Sequence, residues 1–299
     1  MGRLSSIIMG AVLALSSVGC EPLPVPVCLE PEVIEQYSLD EIIDLPIVIH
    51  VSSDDLYGQE EQVDYLENRF RGEFNGLWIP LALDSGPGEP RFILTNATPD
   101  QPLVRVRDGT CEDTTVAYTE EHGVDHLPHV IGAINLYFCS DVSGKRVYSP
   151  ILGEMASFNG YVPEIGSNYV FLGSKDPYVV LHETLIHALG LAHTHETRYG
   201  DDGDLISDTN YDQGPGACNA IWLGGPDNVL YDCGTDPNGD PVTPPVNNLA
   251  SYHPQLERVE TETGNIYFTK RMSLYQIKGA VCSAEKKGWV GRLADRFSQ

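Results

Sequence analysis

The chain has 299 residues, 43 acidic against 18 basic, for a formal net charge of -25 at pH 7, with 41% hydrophobic and 9% aromatic side chains. That apolar share is ordinary for a globular protein and the length suits one large domain or two modest ones. The negative charge repels phosphate backbones and anionic lipid, which argues against nucleic acid as a partner.

The first residues read as a processing signal: Arg3 supplies the positive end, Ile7 to Leu15 the apolar stretch, and Ser16-Ser17-Val18-Gly19 the small residues before Cys20. Residues 1–19 are therefore expected to be a signal peptide directing export. The Gly19-Cys20 ending resembles a bacterial lipoprotein signal, which would make Cys20 a lipidated N-terminus and the only link to a membrane. Ser17 stands where such signals usually carry Leu, and ordinary cleavage leaving a free extracellular protein is the alternative. No other stretch approaches the ~20 apolar residues that span a bilayer. Cys28, Cys111, Cys139, Cys218, Cys233 and Cys282 remain, an even set in an exported chain, so disulfides are expected. Proximity favours Cys111 with Cys139 and Cys218 with Cys233. Cys28 is read as a disulfide partner rather than a thiolate held on a metal.

Residues 20–44 begin with a Pro- and Glu-rich run and read as a tether, with one domain over 45–299. Leu45-Pro-Ile-Val-Ile-His-Val51 is a β-branched run that predicts a buried strand. Glu60 to Phe74 carries Val63, Leu66, Phe70 and Phe74 at helical spacing. Further strands are predicted at Phe92–Thr95, Leu103–Val106, Ile134–Cys139 and Tyr169–Leu172, separated by turn-forming clusters. Tyr178 to His193 predicts a helix turned at Gly190. Residues 199–247, rich in Gly, Asp, Asn and Pro, predict a long irregular region, and a last helix is expected over Thr269–Val281.

The run His182-Glu183-Thr184-Leu185-Ile186-His187-Ala188-Leu189-Gly190-Leu191-Ala192-His193 sets three histidines and a glutamate within twelve residues. Catalytic zinc needs three protein ligands, an open position for water, and a carboxylate near that water. A helix offers two ligands one turn apart, and a glycine beyond its end lets the chain bend back to supply a third.

In these residues the sequence resembles the metzincin zinc peptidases, whose signature is H-E-x-x-H-x-x-G-x-x-H, and within them the pappalysin or cytophagalysin group. Supporting stretches are Leu45 to Val51, Ile134-Asn-Leu-Tyr-Phe138, Ala156-Ser-Phe158, Gly203-Asp-Leu-Ile-Ser-Asp-Thr209 and Asn247-Asn-Leu-Ala-Ser-Tyr252. The resemblance implies an α/β (α+β) fold with a twisted sheet, an active-site helix and an irregular C-terminal subdomain. It implies zinc on His182, His187 and His193, Glu183 as general base, Tyr252 near the oxyanion, and a protein or peptide substrate. Asp201, Asp202, Asp204 and Asp208 form an acidic run at spacings that calcium could use, although a solvated acidic loop is the favoured reading.

Two departures from the family pattern stand out. His182 and His187 are five residues apart instead of four, and on a regular α-helix five steps land about 140° away and roughly 7.5 Å along the axis. A one-residue insertion absorbed as a π-bulge would realign them and keep Glu183 as base, which is the preferred reading. The alternative is a regular helix with Glu183 as first ligand and Thr184 in the base position, which would lack a catalyst. The second departure is Ala250, standing where the Met-turn methionine of the family packs beneath the metal. Losing that thioether leaves a gap costing about 2–5 kcal/mol unless neighbours fill it. Both departures motivate a rival expectation, a non-catalytic surface protein that keeps the fold and binds metal or a partner.

Overall fold

Leu45 to Val51 lies within β1, Ile42–Ser52, the strand around which a computed structural model builds its main sheet. The structure describes residues 27–35, 42–83, 91–140, 146–149, 154–157, 160–192, 219–222, 229–232, 248–250, 257–260, 266–269 and 271–287. Along one edge of β1, β2 (Arg91–Asn96) pairs with its first half and β3 (Val104–Arg107) with its second, both parallel. Along the other edge lies β4 (Ile134–Phe138), also parallel. After the hairpin of β5 (Arg146–Ser149) and β6 (Glu154–Ser157), β7 (Gly160–Tyr161) runs antiparallel beside β8 (Tyr169–Leu172), which pairs parallel with β4. The result is a mixed α/β arrangement: six strands in five positions, ordered β2-β1-β4-β8-β7.

Alternation along the strands sorts the side chains onto two faces. Ile47, Ile49 and Val51 of β1, Leu136 and Phe138 of β4, and Val170 and Leu172 of β8 join one core. That core takes in a continuous helix over 60–83, the helix that follows β8, and the helix Leu274–Lys286. Tyr137, Cys139, Tyr169 and Phe171 face the other way, into a smaller core with Cys111 and Leu127. With both faces covered, β4 is buried at every position, as a run apolar at all but one position requires.

The one amide in that run, Asn135, is satisfied from four sides. Its Nδ2 donates to the carbonyls of Val130 (3.1 Å) and Ala133 (3.0 Å), and its Oδ1 accepts from the Val130 N–H at 2.7 Å. That orientation makes His50 Nε2 the donor to Oδ1 at 3.1 Å, with the His50 ring stacked on Tyr137 at 4.8 Å.

Several expectations change in contact with the structure. The helix expected over Glu60 to Phe74 continues to Leu83, through a π-wound middle at Arg69–Trp78. Gly76 and Pro80 look like breakers in sequence. They fall in or just after the π-wound stretch, where the ladder already departs from i→i−4. The last helix is Leu274–Lys286 instead of Thr269–Val281, because a capping box starts it: Ser273 and Gln276 each accept the other's backbone N–H. Ile266–Thr269 is β12, antiparallel to β11 (Glu257–Glu260), and the stretch read as irregular holds the short antiparallel pair β9 (Asn219–Trp222) and β10 (Val229–Asp232).

The expected Cys111–Cys139 disulfide is present, and a second joins Cys28 to Cys282, 254 residues apart, which nothing in the spacing suggested. Cys218 and Cys233 lie outside the described residues. The reading of 20–44 as a tether does not extend to Cys28 and Leu29, which are buried against the C-terminal helix. The disulfides point to an oxidising, extracytoplasmic location. Among the described residues no helix is long and apolar enough to cross a membrane.

Burial, helped by the charges of Arg105, Arg107 and His129, lowers the His50 pKa from 6.5 to about 4 against the opposing hydrogen bond to Asn135. A base with a depressed folded pKa contributes stability that is present above its unfolded value and lost as pH falls toward the folded one. Unfolding in urea should therefore show a loss of about 3 kcal/mol between pH 7 and pH 4 from this group. His50→Gln should flatten that acid slope while lowering stability at pH 7; an unchanged slope would count against His50 as its source.

Candidate metal centre

Strand β8 passes through a short turn into the helix that carries the histidines. Asp176 caps it by accepting the Tyr178 N–H at 2.8 Å, and Pro177 occupies its first turn. Pro177–Leu181 is α-helical and His182–His187 is a π-helix. The i→i−5 pattern continues past it, with Ala188 N–H to Glu183 O at 3.0 Å and Leu191 N–H to Ile186 O at 2.8 Å. The five-residue spacing of the two histidines is thus accommodated in one wide turn, and the regular-helix alternative is not adopted. Thr184, which that alternative put in the base position, is buried and donates its hydroxyl to Val180 O at 2.6 Å. It serves the helix backbone where the ladder changes register.

The wide turn brings His182 Nε2 and His187 Nε2 to 3.2 Å, with the ring planes nearly perpendicular at 86°. Each Nδ1 meets a backbone carbonyl: Leu249 O at 2.6 Å for His182 and Leu191 O at 3.1 Å for His187. A carbonyl only accepts, so each Nδ1 carries the proton, and in the neutral rings each Nε2 presents a lone pair. Two lone pairs facing at 3.2 Å need a shared cation, either a metal ion or a proton that makes one ring an imidazolium. Carbonyl partners on the far nitrogens are the usual device for fixing metal-bound imidazoles.

Glu183 completes the cluster: one ligand atom from each of His182, Glu183 and His187 lies within 4.8 Å of the others, and all three residues are buried. This His/Glu/His group is able to hold a metal ion. Glu183 Oε2 is buried and finds no hydrogen-bond donor among the described residues. Burial raises the Glu183 pKa from 4.5 to about 8, so without a cation nearby the carboxyl is largely neutral at pH 7. A bound cation would reverse that preference.

His193 and Tyr252, expected as third ligand and oxyanion partner, and the acidic run from Asp201 to Asp208, lie outside the described residues. Ala250 is fully buried within the main core, its N–H held by Asn248 Oδ1 at 2.8 Å. Its neighbour Leu249 supplies the carbonyl that meets His182 Nδ1.

Sequence reasoning missed two contributors. Tyr178, one helical turn before His182, has its ring 5.6 Å from that imidazole, and burial together with the Glu183 charge pushes its hydroxyl well above the usual tyrosine range. Its i, i+4 spacing to His182 was the available signal. Gly160 of β7 gave none. A Cβ there would lie 2.9 Å from both Glu183 Cγ and Val179 Cγ1. The sheet edge and the helix approach that closely only because position 160 has no side chain. No family model matches the chain, and no curated protein matches it.

Gly160→Ala should cost about 1–3 kcal/mol by pressing on the Glu183 stem. Adding Glu183→Ala should recover part of that loss, giving a coupling of at least about 0.5 kcal/mol in a double-mutant cycle read by urea unfolding. Strict additivity would rule out the contact.

Proposed function

We propose that the protein is an exported zinc-dependent endopeptidase that hydrolyses peptide bonds by direct attack of water. One observation carries this reading: the π turn that sets two lone-pair-bearing Nε2 atoms 3.2 Å apart beside a buried carboxylate. Tetrahedral zinc with Zn–N bonds of about 2.0–2.1 Å needs neighbouring nitrogens about 3.3 Å apart, so the pair fits without rearrangement. Two imidazoles and a carboxylate are also a donor set that zinc favours.

His182, His187 and, beyond the Gly190 turn, His193 would hold the metal. When bound, zinc supplies Lewis acidity toward the scissile carbonyl and lowers the pKa of water toward ~7. The carbonyls of Leu249 and Leu191 keep both imidazoles in the tautomer that presents Nε2. Glu183, adjacent to His182 and ionised beside a cation, accepts the proton of the attacking water and passes it to the leaving amine. Its stem lies so close to Gly160 of β7 that a side chain at that position would press on it. Tyr252 would donate to the developing oxyanion. The substrate is a protein or peptide, and attachment to a membrane would come only through a lipid on Cys20. A calcium ion on the acidic run from Asp201 to Asp208 would be an accessory.

The exported chain should bind about one zinc and cleave an unfolded protein in a chelator-sensitive way. Glu183→Gln should keep the zinc and lose about 10²–10⁴-fold in cleavage rate. Zinc without cleavage in the wild type would leave a metal-binding protein of the same fold, and no zinc would remove the metal reading. Loss of zinc in the Gln variant would make Glu183 a ligand instead of the base.

A further inference from the structure

The end of the site helix is held by more than its own turn. His187 O accepts the N–H of Gly166 at 2.7 Å and of Gly190 at 3.0 Å, while Ala188 O accepts from Lys287 Nζ at 3.3 Å. The same ammonium donates to Gly166 O. Lys287 therefore ties the helix end to the turn at 164–167, which is closed by the Ser167 N–H to Glu164 O bond. Both glycines have left-handed backbones, with φ of +85° at Gly166 and +86° at Gly190. A Cβ on Gly166 would stand 3.5 Å from Lys287 Nζ and 3.7 Å from Gly190 Cα, so the three groups meet in one place.

The lysine is anchored at its own root. It follows Leu274–Lys286, its N–H donates to Ser283 O at 3.1 Å, and Cys282 in that helix is buried and bonded to Cys28. Its charge sits at the negative end of the site helix, where backbone carbonyls favour a cation. Burial moves its pKa down to about 8, which leaves it charged at neutral pH. What depends on this clamp is close by. Leu191 O, three residues past Ala188, orients His187, and His193 lies two residues further on.

We propose that Lys287 is a positioning residue of the metal centre: it fixes the helix end and the Gly190 turn so that the Leu191 carbonyl stays on His187 Nδ1 and holds that imidazole in place. The metal half of this statement rests on the zinc reading above. The clamp itself does not.

Lys287→Met and Lys287→Arg, made in the full exported chain, separate the two. Zinc affinity is measured by chelator competition, and backbone amide exchange at Gly166 and Gly190 is measured in the metal-free protein. The Met variant should bind zinc about 10–100-fold more weakly, the range for losing a group that orients metal ligands. It should also exchange Gly166 and Gly190 amides at least about tenfold faster with Ile49 and Leu136 unchanged, the mark of local opening without global unfolding. Lys287→Arg should recover part of both. Wild-type zinc affinity in the Met variant would overturn the positioning role even if exchange quickens. Exchange that is unchanged, or that quickens equally across the sheet, would overturn the clamp. If the wild type takes no zinc, the exchange arm alone decides: selective opening supports the clamp, and its absence overturns it.

Discussion

Two imidazoles five residues apart on one helix can offer the same kind of nitrogen to one point in space only if the chain between them makes a wider turn than an α-helix. The π winding of His182–His187 meets that constraint, and much of the surrounding structure follows from it. A wider turn disturbs the i→i−4 ladder, so carbonyls and amides near it need other partners. Thr184 serves the carbonyl of Val180, Gly166 and Gly190 serve that of His187, and Lys287 serves that of Ala188. The histidines answer in kind, each giving its Nδ1 proton to a backbone carbonyl, that of distant Leu249 for His182 and that of Leu191 just past the turn for His187. The winding and the metal-binding tautomers are thus two sides of one hydrogen-bond arrangement.

The sheet supplies the rigidity that such an arrangement needs. β4 is sealed on both faces, and its one polar side chain, Asn135, is saturated by Val130, Ala133 and His50. A buried amide with every group paired specifies a register instead of weakening the core. β8 inherits that register and delivers, across a short turn, the site helix that begins at Pro177, five residues after Leu172. On the sheet's outer edge, Gly160 lets β7 lie against Glu183. The carboxylate is enclosed between sheet and helix, and this enclosure is what raises its affinity for a proton. The same desolvation that makes the metal-free site prefer a neutral acid makes a cation there unusually effective at ionising it.

The two disulfides act at different places. Cys111–Cys139 staples the smaller core behind the sheet, next to the end of β4. Cys28–Cys282 fastens the N-terminal segment to the C-terminal helix, with Leu29 and Leu191 both meeting Gly279 of that helix. Cys28 and Leu29 are therefore tied to the helix that also meets Leu191, which is why a stretch whose composition reads as a tether is in part a structural element.

The sequence by itself determined the strands of the main sheet other than the two-residue β7, the helix after β8, the His182-Glu183-His187 cluster and the Cys111–Cys139 pair, because alternation, helical spacing and short loop closure are local properties of the chain. It also framed the problem at the site, since a five-residue spacing leaves only a widened turn or a displaced ligand set. It did not reach the Cys28–Cys282 bond, the Leu249 carbonyl, the close approach of Gly160 or the reach of Lys287 to the helix end. Each of these joins residues tens to hundreds of positions apart, and no periodicity records such a contact. The winding of the site helix belongs to the same class. Local propensity does not favour a π turn, and it persists because carbonyls and donors from distant segments are placed to satisfy what the turn leaves open.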